Sequence, residues 1–400
     1  MDFQSFIPFH LPSIGDEELQ EMEATLRSGW LTTGPRTLQF ERDFGAYVGA
    51  RYSSALSSCT AGLHLALAAL GIGQGDEVIT TPMTFCSTVH AILQTGATPV
   101  LADIKPDGNI DPEQIERAIT PRTRAIIPVH LAGLPCDMEQ IWTIAAPRGI
   151  YVVEDAAHAA GAKIGNHYIG SSAAAEGFSD ATVFSFYATK NMTTGEGGMV
   201  TTPSGTLDHQ MRSMALHGMN RDAWKRYSAQ GGWYYEVENA GFKYNFTDMQ
   251  AALGIHQLRK LESFIAVRTR YAEIYSREFA DVGEVEVPES RDGVRHAWHL
   301  YILRLNLKSL AIGRDAFIAE LKRKGIGTSV HFIPIPMHPY FAAMGLGQSD
   351  CERALEMYPR IVSLPLYPSM TEEQIHYVAD CVKGVIAANK IERRVFLGAA

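Results

Sequence analysis

Residues 50–82 read ARYSSALSSCTAGLHLALAALGIGQGDEVITTP. ARYSSAL has strand character. TAGLHLALAALGI puts Leu63, Leu67 and Leu70 on one helical face, and DEVITTP is a second strand. A helix-length connection suits parallel neighbours, because antiparallel strands need only a short turn. GIGQGD superficially resembles a dinucleotide fingerprint, but it follows a helix and precedes a strand, the wrong order for one. It reads as a helix end and a turn.

Outward from this stretch the alternation continues to about residue 202. FCSTVHAILQTG is helical, TPVLADI a strand, and DPEQIERAI a helix with Asp111 as N-cap and Pro112 in its first turn. TRAIIPVHL, IYVVEDAAH, ATVFSFY and GMVTT add strands, with the helix DMEQIWTIAAPRG between the first two. Apolar strands separated by helices predict an α/β fold, a mostly parallel sheet covered on both faces. After residue 245 the character changes. TDMQAALGIHQLRKLESFIAVRTRYAEIYSREFA carries helical periodicity with an expected bend. AWHLYILRLN and GTSVHF then read as strands, and RDAFIAELKRKG and TEEQIHYVADCVKGVIAA as helices. The expectation is a large domain over 1–253 and a smaller α+β domain over 254–400.

Composition narrows the function. The net charge is −9 and no Lys/Arg run exceeds a pair, which argues against nucleic acid and against a basic membrane-surface patch. Five scattered cysteines without a C-x-x-C support no disulfide framework, zinc site or iron–sulfur cluster. The N-terminus has no basic leader followed by an apolar run, and no window approaches a membrane span. The expectation is a soluble cytoplasmic protein with no metal. His296 and His299 in HAWHLY can pair as metal ligands only if they share a face, and on a strand they would not.

Three strand ends carry chemistry. SALSSCTAGLHLAL runs from a strand through small and hydroxyl residues into a helix N-terminus, where amides and dipole favour an anion such as phosphate; Ser58 and Thr60 add hydroxyls. A helix N-cap without a ligand reads the same way. YVVEDAAH ends a buried strand on Glu154 and Asp155, of which alternation directs one into the crevice at the strand ends. FSFYATKNMTTGEGG ends a third strand near Lys190, with Gly195, Gly197 and Gly198 beyond. A phosphate cradle, a buried carboxylate and a lysine amine are what pyridoxal phosphate needs: an anchor, a partner for the ring nitrogen and a Schiff-base lysine. Phe85, just past another strand end, is placed to cover the ring.

EDAAHAAGA…G…FSFYATKN…GEGGMV, with SSCTAGLHLAL upstream and GFKYNFTDMQAALG downstream, resembles the DegT/DnrJ/EryC1/StrS family of sugar-nucleotide aminotransferases over nearly the whole chain. It is most similar to the branch of the UDP-4-amino-4-deoxy-L-arabinose–oxoglutarate aminotransferase. The resemblance implies fold type I with a seven-stranded sheet, and a homodimer with shared active sites. By the same resemblance Lys190 is the Schiff-base lysine and Asp155 the ring-nitrogen partner. His158 sits near the ring hydroxyl, Thr60, Ala61 and Ser185 contact the phosphate, and Phe85 stacks on the ring. Asn245 reaches the phosphate of the neighbouring subunit. Gly34, Pro35, Tyr187, Arg221 and His331 border the sugar-nucleotide site. Arg221, Lys225 and Arg226 in HGMNRDAWKRY either bind the diphosphate or belong to a solvated loop.

The implied reaction moves an amino group, by a ping-pong course, from L-glutamate to a UDP-linked 4-keto sugar in polysaccharide biosynthesis. A related dehydratase branch has histidine in place of the lysine, so Lys190 favours transamination. A sugar-nucleotide 3-aminotransferase, a pyridoxal phosphate-dependent sugar dehydratase, an amino-acid aminotransferase and a cofactor-binding regulatory protein are the alternatives.

Overall fold

The computed structural model describes residues 6–172, 179–219, 234–347 and 351–391. Two helices lead in, α1 (Asp16–Ser28) and α2 (Pro35–Val48). Strands and helices then alternate: β1 (Tyr52–Leu56), α3 (Cys59–Ala69), β2 (Glu77–Thr80), α4 (Cys86–Gln94), β3 (Thr98–Leu101), α5 (Pro112–Ala118), β4 (Thr123–Ile127), α6 (Met138–Ala145) and β5 (Tyr151–Asp155). Short strands β6 (Lys163–Ile164) and β7 (His167–Tyr168) precede β8 (Ala181–Ser185), β9 (Gly198–Thr202) and α7 (Gly205–Ala215).

Seven strands form one sheet in the order β1-β9-β8-β5-β4-β2-β3. Strand β9 is antiparallel to both neighbours, while β3, β2, β4, β5 and β8 run parallel. Register places the ends that matter together: Leu56 and Ser185 both pair with Gly198, and Asp155 pairs with Val183. One edge of the sheet therefore gathers the chain after β1, β5 and β8.

Helix α3 departs from the one-faced reading. Leu65 and Ala66 are as fully buried as Leu63 and Leu67, whereas Leu70 is only partly covered. The helix is apolar all round because it lies between the sheet and other helices. Gly62 permits this: a Cβ there would stand 2.5 Å from Val183 Cγ1.

Helix α8 (Asp248–Phe279) is one element of 32 residues, opened by a reciprocal Thr247–Gln250 capping box. Its first half packs Ala251, Ile255, Leu261 and Ile265 against Phe40, Phe44 and Phe246. Its second half packs Tyr271, Ala272, Tyr275 and Phe279 into a separate core with Leu303, Phe317, Val378 and Val382. Residue 254 lies inside this helix. Beyond it, β10 (Val285–Glu286), β12 (Tyr301–Leu305) and β13 (Ile361–Leu364) form a small antiparallel sheet, while β11 (Val294–Arg295) returns to pair with β6.

Two strand readings need correction. GTSVHF is no strand; it touches its neighbour at one bridge, Ser329 to Ser363, before turning toward the site described below. The strand read from Ala297 begins only at Tyr301, because Trp298 adopts φ 47°, a left-handed backbone that a pleated strand cannot contain. His296 and His299 therefore lie ahead of the strand. No group of metal-ligating side chains forms among the described residues, and no helix among them is long and apolar enough to cross a membrane.

Candidate active site

The cavity at the sheet edge starts from the first turn of α3. Ser58 caps it: its Oγ accepts from the Ala61 amide at 3.1 Å and its carbonyl from the Gly62 amide at 3.1 Å. The Cys59 and Thr60 amides have no partner within the helix, so the turn presents donors and a positive dipole end. Gly198, at the start of β9, presses on this turn, and a Cβ there would stand 2.6 Å from Cys59 N and Ser58 C. Gly198→Ala should therefore displace the turn. It is expected to lower stability by about 1–3 kcal/mol and to weaken cofactor binding, read by thermal unfolding and by equilibrium titration of the apoprotein.

Strand β5 supplies the carboxylate, and alternation acts as expected. Glu154 points away from the cavity. It accepts from His130 Nε2 at 2.9 Å and from Ser179 and Thr182 hydroxyls at 2.6 Å each. His130 Nδ1 accepts the Cys136 amide, which leaves the proton on Nε2. Burial pushes Glu154 up, but these donors outweigh it and keep its pKa low. Asp155 faces the cavity. Thr88 Oγ1 donates to its Oδ2 at 2.8 Å and the Ala157 amide to its Oδ1 at 3.1 Å. Burial raises its pKa, and the Thr88 and Ala157 donors and the charge of Lys190 offset this only in part. A carboxylate so poorly solvated has room for a cationic N–H partner.

Lys190 follows β8 by one turn, its amide donating to the Tyr187 carbonyl at 2.9 Å. The residue remains partly accessible from the cavity, yet desolvation lowers its amine to about 8 against the pull of the nearby Asp155 carboxylate. The cavity has a volume of about 450 Å³ and brings Thr60, Phe85, Asp155, His158, Ser185, Tyr187, Lys190 and His331 together. Phe85 is 59% exposed, an uncovered aromatic face beside a desolvated carboxylate and amine. This donor set fits pyridoxal phosphate: helix amides for the phosphate, Asp155 for a protonated ring nitrogen, Phe85 for the ring, and an amine for the aldehyde.

Other expected residues lie elsewhere. Ala61 is buried in α3, its amide engaged by Ser58. Gly34 and Pro35 are the cap and first residue of α2, and the Asn245 side-chain amide donates to Thr33 Oγ1. These do not line the cavity within this chain. Arg221, Lys225 and Arg226 lie outside the described residues. Conversely, the cavity uses residues the sequence reading did not place there, among them Thr84, Phe332 and His299, the last weighed only as a metal ligand. Thr88, behind Asp155, also escaped notice; its signal was its place one helical turn beyond Thr84, whose hydroxyl it meets at 2.8 Å.

Comparison with known proteins assigns the chemistry. The fold matches Spr1654 of Streptococcus pneumoniae, named as a candidate sugar aminotransferase and solved in PLP and PMP forms. The TM-score is 0.88 at 32% identity, over 96% of this chain and 99% of that one. The protein is a pyridoxal phosphate-dependent aminotransferase of fold type I. It belongs to the DegT/DnrJ/EryC1/StrS aminotransferase family, whose family model matches residues 12–383. Its relatives include the spore coat polysaccharide biosynthesis protein SpsC of Bacillus subtilis (strain 168), 49% identical over 95% of this chain and 97% of that protein. The uncharacterized protein MJ1066 of Methanocaldococcus jannaschii is also 49% identical, over 97% of this chain and 99% of that protein.

Proposed function

We propose that this sugar aminotransferase moves the amino group of L-glutamate to the keto carbon of a UDP-linked 4-keto sugar, in the cytoplasm, by a ping-pong course. The observation that carries the reading is one cavity holding a desolvated amine, Lys190, and a buried carboxylate, Asp155, beside a capped helix N-terminus. The likeness to SpsC supports a place in polysaccharide assembly.

When bound, pyridoxal phosphate supplies an electron sink for the carbanion formed at the donor's Cα. The chain's own residues do the rest. The Thr60 turn and Ser185 would hold the phosphate, Asp155 would keep the ring nitrogen protonated, and Phe85 would cover the ring. His158, whose Nδ1 accepts the Ala132 amide at 3.2 Å, keeps Nε2–H for the ring hydroxyl. Lys190 Nζ would take up the proton from the donor's Cα and hold it for return. Tyr187 and His331 border the sugar. By the family resemblance, Asn245, Gly34 and Pro35, which lie outside the cavity lining of their own chain, would complete the partner's site in a homodimer.

The substrate assignment is tested by running nucleotide-linked 3- and 4-amino sugars in reverse with 2-oxoglutarate and following the cofactor's absorption. UDP-linked 4-amino sugars should react fastest. A protein that accepts only 3-amino sugars, or only amino acids, has a different substrate.

Lys190 is nucleophilic only when neutral, and its folded pKa of about 8 lies below the ordinary 10.5. Below 8 the amine is protonated, above it free. Cofactor uptake by the apoprotein should therefore rise roughly tenfold per pH unit up to about 8 and then level off. Stopped-flow absorption measures this, and an uptake rate that falls across pH 6–8 contradicts the assignment.

A further inference from the structure

Among the described residues, only three other than glycine have positive φ, and two of them meet beside the cavity: Ala132 at 58° and Trp298 at 47°. Such backbone is strained and persists where surrounding structure enforces it. The Ala132 carbonyl accepts from the His299 amide at 2.9 Å and its N–H donates to His158 Nδ1 at 3.2 Å. Gly133, at φ 96°, lets this turn close on its neighbours, since a Cβ there would stand 2.8 Å from the His158 carbonyl. From the other side Arg268, fully buried, donates to the carbonyls of Trp298, His299 and Leu366 at 3.2, 3.4 and 2.7 Å. Two elements thus fix the backbone of His299 from opposite directions in the bonding pattern.

The side chain so fixed lines the cavity. Its ring packs 4.4 Å from that of His158, and its Nδ1 is buried without a partner. An unpaired lone pair costs less there than an unpaired N–H, so the proton belongs on Nε2, the nitrogen not so enclosed. Burial, with the positive charges of Lys190 and Arg268 nearby, holds the imidazole neutral. His158 likewise keeps a single N–H, on Nε2. With the His158 N–H turned to the ring hydroxyl, His299 offers the free N–H donor of the pair, with Lys190 and His331 also lining the cavity. Behind them no carboxylate pairs with the Arg268 guanidinium among the described residues. Burial lowers its pKa only to about 9, so it stays charged at neutral pH. This wall is built for an anion.

We propose that His299 is a substrate-binding residue whose Nε2–H hydrogen-bonds the α-carboxylate of the amino donor and of the keto acid it becomes, beside His158 and over the buried charge of Arg268. The proposal rests on the cavity being the transamination site. The α-carboxylate is the group in question because it is bonded to the carbon whose proton Lys190 removes.

The test uses His299→Phe, which keeps a ring but no donor, His299→Leu, a second apolar replacement should the first fail to fold, and His299→Gln, which keeps an N–H. The readouts are the dissociation constant of 2-oxoglutarate from the PLP-loaded protein, by spectral titration, and that of the cofactor from the apoprotein. The apolar variants should bind 2-oxoglutarate at least about tenfold more weakly, with cofactor affinity unchanged and His299→Gln recovering part of the loss. The preference for L-glutamate over 4-aminobutyrate, which lacks the α-carboxylate, should fall by a similar factor. Unchanged 2-oxoglutarate binding overturns the proposal. So does an equal loss of cofactor affinity, which would make His299 a support for His158 only. Failure of the wild-type protein to bind pyridoxal phosphate, or to be bleached by glutamate, would instead overturn the reading of the cavity itself.

Discussion

Lys190→Ala should take up pyridoxal phosphate without the absorption band of the wild-type protein and should lose both half-reactions. The expected loss is on the order of 10⁴-fold, the upper range for removing a positioned acid–base group. The amine is desolvated and held near neutrality at about 8, so at working pH it can both attack and carry a proton. Removing a buried, ionisable amine relieves rather than creates a desolvation cost, so the variant should fold. Single-turnover absorption with glutamate, then with the keto sugar, separates the two steps. A small primary amine added to the buffer should restore part of the proton transfer. Wild-type rates in both half-reactions would remove Lys190 from the mechanism.

Asp155→Asn should be nearly as damaging, by a different route. The side chain keeps its size and its neighbours at Thr88 and Ala157 but loses its charge. The ring nitrogen then has no anion to hold its proton, and the electron sink weakens. A loss of about 10²–10³-fold in both half-reactions is expected, the scale for deleting one preorganised electrostatic partner, with the cofactor still bound through its phosphate. Rates within tenfold of wild type would mean that another group partners the nitrogen.

Much of the architecture could be read from periodicity. The leucines of α3 and the short apolar runs between helices identify a covered sheet without coordinates. Direction could not be read: GMVTT is five residues with no marker of orientation, and β9 runs antiparallel to both its neighbours. The start of β12 differs because local apolarity does not encode a left-handed residue such as Trp298, and GTSVHF differs because a strand needs a partner along its length and this segment has only the Ser329–Ser363 bridge. At the cavity, Asp155 and Lys190 stood out because strand ends are where charged groups are conspicuous. Thr88 and His299 did not. Each lies far from Asp155 or Lys190 in sequence, and only tertiary contact brings it to the cavity. Read as a strand, HAWHLY puts His296 and His299 on opposite faces, and nothing in that reading points His299 at the cavity. The left-handed turn between them, which presents His299 to the cavity, is a property of the fold.

The unbroken helix α8 has a consequence of scale. Its 32 residues make a rod about 48 Å long, anchored at one end in the sheet-bearing core and at the other in the smaller one. The cavity has Asp155, His158 and Lys190 on the near side of that rod in sequence, and His299, His331 and Phe332 on the far side. Arg268 on this rod holds the carbonyls of Trp298 and His299, so the rod ties part of the far wall to the near one. A side chain lining the cavity can then be exchanged without altering the rod that carries the far wall.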